Sequence, residues 1–197
     1  MIVLTSANHV PVYAQDLPDT GTDGADPAAK TAAPDTGGEP SRMDQLFAEL
    51  AQPEGEGWRI AESDILREWS RSGSAAMDLL YKRGEDALDG GDAATAIGHL
   101  TALADHAPDF ASGYHMRAVA YATEGDYGPA LADLARALQL EPRHFPALTQ
   151  LGFLLEDMDQ PERALDAYRQ SLAIHPHQQD VLDAVERLEQ AETGTNI

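Results

Sequence analysis

The chain has 197 residues, 34 acids against 13 bases for a formal net charge of −21, and no cysteine. A charge of that sign and size repels nucleic acid and anionic lipid surfaces. The absence of cysteine excludes disulfides, thiolate nucleophiles and zinc–sulfur sites. No stretch approaches the roughly 20 consecutive apolar residues that a bilayer span needs, so stable membrane insertion is not expected.

Residues 1–14 end in Val12-Tyr13-Ala14 before Gln15-Asp16, which places small or compact residues at minus three and minus one of a signal-peptidase cut. A basic start and a full apolar run are missing, as they would be in the remnant of a longer signal. The expectation is therefore a periplasmic or secreted protein; a cytoplasmic one with an unstructured terminus is the alternative. Residues 15–42 are mostly Asp, Pro, Gly, Thr and Ala, with too little apolar surface to offset the entropy of ordering, and predict a disordered acidic linker. From Met43 the pattern becomes helical. Met43, Leu46, Phe47 and Leu50 mark one amphipathic helix, and Ala61, Ile65, Leu66 and Trp69 a second, with a loop over 52–57 between them. Residues 43–76 thus predict a degenerate N-terminal helix pair that closes one end of the molecule, with Trp58 and Trp69 anchoring the core of that pair.

Beyond it Pro108, Pro142 and Pro176 recur every 34 residues. Counted so that each proline is thirty-second in its unit, the units are 77–110, 111–144 and 145–178. The twentieth position is Ala96, Ala130 and Ala164, the eighth Gly84, Ala118 and Gly152, and the twenty-fourth Leu100, Leu134 and Tyr168. Small residues at positions eight and twenty lie on opposite helices and allow close backbone approach. The pattern resembles the tetratricopeptide repeat, a helix-turn-helix unit of 34 residues, and the resemblance implies an all-α, right-handed solenoid. First helices are expected near 77–89, 111–124 and 145–157, second helices near 93–106, 127–139 and 160–174. Asp92, Asp126 and Asp159 stand where they would cap the second helices. The seventh position, an aliphatic in the family, is Arg83, Arg117 and Leu151; each arginine is expected to lay its stem on apolar surface and keep its guanidinium wet. Residues 179–191 predict a capping helix whose stripe is Leu182, Val185 and Leu188, followed by a disordered tail over 192–197.

No catalytic constellation stands out. The histidines are scattered, His175 and His177 flank Pro176 as surface residues, and there is no HExxH, nucleophile elbow, P-loop or dinucleotide fingerprint. No cofactor and no metal are expected, and the chain reads as a non-enzymatic interaction module; the alternative is the scaffold of an enzyme complex. The family resemblance implies that the first helices line a concave groove for a peptide or partner protein. Its candidate residues are Tyr81, Lys82 and Glu85, then Ser112, His115, Met116 and Val119, then Thr149, Gln150 and Phe153. The competing reading is that these side chains fill the groove or pack on a terminal helix. The lysine, arginine and asparagine clamp with which related co-chaperones hold an acidic tail is absent: Tyr81 and Glu85, His115 and Val119, Thr149 and Phe153 stand in its place. The partner's identity and any self-association are left open.

Overall fold

A computed structural model describes residues 40–195, which are helical and irregular without strands. The expectations for a signal remnant, for the linker up to residue 39 and for the last two residues lie outside the described residues. The described helices are α1 (Arg42–Leu50), α2 (Gly57–Trp69), α3 (Ala75–Asp89), α4 (Ala93–His106), α5 (Ala111–Thr123), α6 (Tyr127–Leu140), α7 (Phe145–Asp157), α8 (Pro161–Ile174) and α9 (Gln179–Thr195).

From α3 onward the helices pack as antiparallel pairs, α3 on α4, α5 on α6 and α7 on α8, with each pair also touching the next. The small residues explain why the pairs close. Ala96, Ala130 and Ala164 are all fully buried. A Cβ on Gly84 would stand 2.6 Å from Cγ of Leu100, and one on Gly152 would collide with the Tyr168 ring. Position eight is therefore small because position twenty-four, on the facing helix, is large.

The turns inside the pairs share one backbone device at the same 34-residue interval. Gly91 (φ +76°), Gly125 (φ +80°) and Asp159 (φ +57°) are left-handed, and the next amide reaches back to a helix carbonyl: Asp92 to Ala87, Asp126 to Tyr121, Gln160 to Leu155. This is a glycine-type helix stop. Only Asp92 caps as expected, accepting from the Thr95 amide at 2.9 Å. Asp126 makes no side-chain cap bond, and Asp159 is itself the left-handed residue while Gln160 takes the capping position.

Two further expectations are corrected. Arg83 is exposed, but the Arg117 guanidinium is not wet: it makes a bidentate pair with Asp133 at 2.7 Å and 2.7 Å, between the rings of Tyr114 and Tyr121. Asp133 supplies the counter-charge that a buried cation requires. On α9 the buried stripe is Val181, Ala184 and Leu188, whereas Leu182 points outward at 40% exposure, because the α8 contact lies one residue earlier than the apolar spacing suggested.

The largest departure concerns α1 and α2. They do form a pair around Phe47, Leu50, Ala61 and Ile65, yet the same cluster includes Phe145 and Ile174 from the third repeat. The core at the other end of the stack, around Ala96, Leu100 and Leu103, is completed by residues of α3, α4 and α5 and the turns joining them. The pair therefore folds back over the repeats instead of extending their first end.

Candidate functional site

The inner face of the stack is built by α3, α5 and α7, and α2 lies along it in the opposite sense to the repeats. At its C-terminal end Trp69 stacks on His144 (centroids 4.5 Å, 13° between planes) and tilts against Phe145. At its N-terminal end Trp58 stacks on His177 (4.4 Å, 9°) and tilts against His175. Eleven residues separate the two indoles, three helical turns or about 16 Å, so they project from one face. Glu62, between them on that face, meets His175 Nε2 at 3.2 Å. Around this seam, Asp44 on α1 bonds Arg143 at 2.8 Å, the Arg143 guanidinium lies 4.2 Å from the Phe47 centroid, and His177 reaches the Gln52 carbonyl at 2.7 Å.

Among the openings beside α2, two face the first helices of the repeats. One, of about 240 Å³, is walled by Leu66, Trp69, Tyr81, His115, Met116 and His144. The other, of about 350 Å³, lies among Trp58, Glu62, Thr149, Phe153, His177 and Gln178.

The residues expected in a groove divide accordingly. Tyr81 packs edge-on against Phe110, and burial, with Glu85 adding, pushes its phenol up to about 12. Lys82 is exposed and held by Glu85 and Asp86 at 2.8 and 2.9 Å, which raise its pKa. Glu85 and Met116 face the first opening. Ser112 is buried against His144 (Oγ to Nε2, 3.2 Å), and His115 lies 4.9 Å from the same ring. Thr149 is engaged with Ser171 and Gln178, both at 2.8 Å. Phe153 packs on Tyr168 yet stays 37% exposed at the second opening. Val119 and Gln150 are half-buried on α5 and α7. The strip is thus largely engaged with neighbouring residues of the repeats, and the two openings separate it from α2.

Sequence reasoning named His115 but missed His144 and His175. His144 and His175 are 2% and 1% exposed, so His175 is not a surface residue; it is roofed by Trp58 and Glu62. Burial drives His144 down to about 3 and His115 to about 4. His175 is lowered too, its burial outweighing the pull of Glu62, and its Nδ1 is the one buried side-chain nitrogen without a partner among the described residues. The available signal was the spacing Trp58, Glu62, Ile65, Trp69, an i, i+4, i+7, i+11 face too aromatic for a short pair's own core.

The Ser112–His144 contact does not make a nucleophile–base pair. His144 Nδ1 accepts from the Ala147 amide at 3.2 Å, so the proton of the neutral ring sits on Nε2 and is donated to Ser112. A general base needs the opposite polarity. Among the described residues no group of three or more His, Asp and Glu is placed to hold a metal, and no helix is long and apolar enough to cross a membrane.

The tetratricopeptide repeat model matches residues 111–144, the second of the three units. The second unit is a tetratricopeptide repeat, and the described helix pairs share the fold of such repeats. The chain is 28% identical over 154 residues to a TPR repeat-containing protein of Rhizobium etli, covering 78% of this chain and 76% of that protein. Small glutamine-rich tetratricopeptide repeat-containing protein 2 of Saccharomyces cerevisiae is 31% identical over 100 residues, 51% of this chain but 29% of that protein. Among solved structures, the first TPR of Spaghetti (RPAP3) bound to an HSP90 peptide superposes with a TM-score of 0.57 at 21% identity, over 59% of this chain and 93% of that one. At that identity the likeness establishes the solenoid fold.

Proposed function

We propose that the chain is a non-enzymatic adaptor or assembly scaffold whose inner face, on α3, α5 and α7, holds a segment of a partner protein. One observation carries this reading: a helix is already seated beside that face, its two indoles stacked on His144 and His177 of the turns after the second and third repeats, so the surface accepts a helix with aromatic side chains in stacking contact. Each apolar anchor buried there contributes about 1.5–3 kcal/mol. The RPAP3 domain, which has the same fold, is described with a bound peptide, and this supports peptide binding here. An acidic chaperone tail suits this chain poorly, since Glu85 lines the face and the net charge is −21. The export expected from residues 1–14 would place the partner in the periplasm or outside the cell; cytoplasmic action is the alternative.

The test is photo-crosslinking in the cells that make the protein. A benzophenone amino acid at Phe153, on the inner face, is expected to trap a defined partner, and the same group at Gln139, exposed on α6, is not. Equal trapping at both sites, or none at Phe153, overturns the reading.

A further inference from the structure

The geometry points to α1–α2 as an internal stand-in for the partner: the inner face recognises an amphipathic helix with two aromatic residues three turns apart and an acid between them, and binding proceeds by displacement of α2. This rests on the reading that the inner face is the partner site.

Four observations support it. The receiving surface is made by turns of the repeats, with stacking platforms at His144 and His177 that match Trp69 and Trp58. The spacing of the platforms fixes the spacing of the aromatics an incoming helix must carry. Recognition is also polar, because Glu62 lies 3.2 Å from His175 Nε2 and Asp44 pairs with Arg143; an acid between the aromatics is thereby selected. The outer side of α2 makes no comparable seat, with Ile60 68% exposed. Finally, the cores around Ala118, Leu134 and Leu154 and around Leu165, Tyr168 and Val181 contain no residue of α2, so Phe145 and Ile174 are the repeat residues that lose core cover when α1 and α2 leave. The population of the open form then sets the apparent affinity for any incoming helix.

The experiment uses the whole chain and, as probe, a fluorescein-labelled peptide of residues 56–70. Three forms are compared by anisotropy: wild type, an opened form carrying Trp58→Ala and Trp69→Ala, and a closed form in which Asp44→Cys and Arg143→Cys are joined by a short bismaleimide, specific because the chain has no cysteine of its own. The opened form is expected to bind the probe roughly tenfold or more tighter than wild type, and the closed form more weakly than wild type. A probe with both tryptophans changed to alanine is expected not to bind. Asp44→Arg, which sets two cations together at the rim and leaves the repeat cores alone, provides a second opened form and is expected to tighten binding in the same direction. Equal affinity across all forms, or an opened and folded chain that does not take up the probe, overturns the inference. The partner reading fails separately: it falls if Phe153 crosslinks nothing in cells, and it stands without displacement if Phe153 traps the same partner in wild type and in the closed form.

Discussion

A methyl group on Gly152 would run into Cε1 and Cδ1 of Tyr168, and Tyr168 has little freedom to move, being fully buried with its hydroxyl donating to Glu156 at 2.8 Å. Alanine normally stabilises a helix interior by about 1 kcal/mol relative to glycine. Here overpacking is larger, and Gly152→Ala is expected to lower stability by about 1–3 kcal/mol, read as a lower urea midpoint. Asp159 poses the opposite case, since it holds the left-handed conformation that glycine adopts at the two equivalent positions. Asp159→Gly is expected to raise stability by up to about 1 kcal/mol, checked in the same titration. Both positions were legible as members of a 34-residue series. What the series did not tell was chemistry specific to one unit: that Asp133 waits for Arg117 across the helix pair, or that Asp159 is a glycine substitute and not a cap.

At the scale of the element, the docking of α2 includes an indole stacked on a neutral imidazole, Trp69 on His144. His144 is held neutral by burial, with a folded pKa of about 3 against an ordinary 6.5. The groups around it are His115 and Ser112 on α5, Glu85 across the opening on α3, and the uncharged Trp69 and Ser70 from the α2 side. Between those two values the unfolded chain binds a proton that the folded chain refuses. Stability from this residue is complete above about pH 6.5 and declines as pH falls toward 3, by about 2 kcal/mol at pH 5. His144→Asn keeps an acceptor for the Ala147 amide but has nothing to titrate. The drop in thermal midpoint from pH 7 to pH 5 is expected to be smaller in His144→Asn than in wild type; an identical drop would remove His144 as its source. The helices themselves follow from periodicity, α1 and α2 included. Their seat does not, because an apolar stripe tells which side of a helix is buried and leaves unstated which surface buries it. Trp58 and Trp69 could serve a pair or a groove, and only the folded chain distinguishes the two.

At the scale of the molecule, the three units behave as a solenoid in which each pair is closed by its neighbour, and the excess of acids, 34 against 13 bases, keeps its surface apart from other anions. Against that background one cation and three histidines, Arg143, His144, His175 and His177, come together where α1 and α2 meet the repeats. The link from α2 to α3 is only the five residues Ser70 to Ser74. A ligand tethered so closely presents itself at an effective concentration on the order of millimolar. A free helix offering the same contacts and nothing more has to be supplied at that level to compete. A partner working at micromolar concentration therefore needs a foothold outside the footprint of α2, and beside the tether the chain leaves one: a hollow of about 670 Å³ bounded by Arg71, Ser72, Met77, Pro108 and Phe110. Tether length thus sets the concentration at which the protein begins to respond, and lengthening Ser70–Ser74 would lower it with no change in any contact.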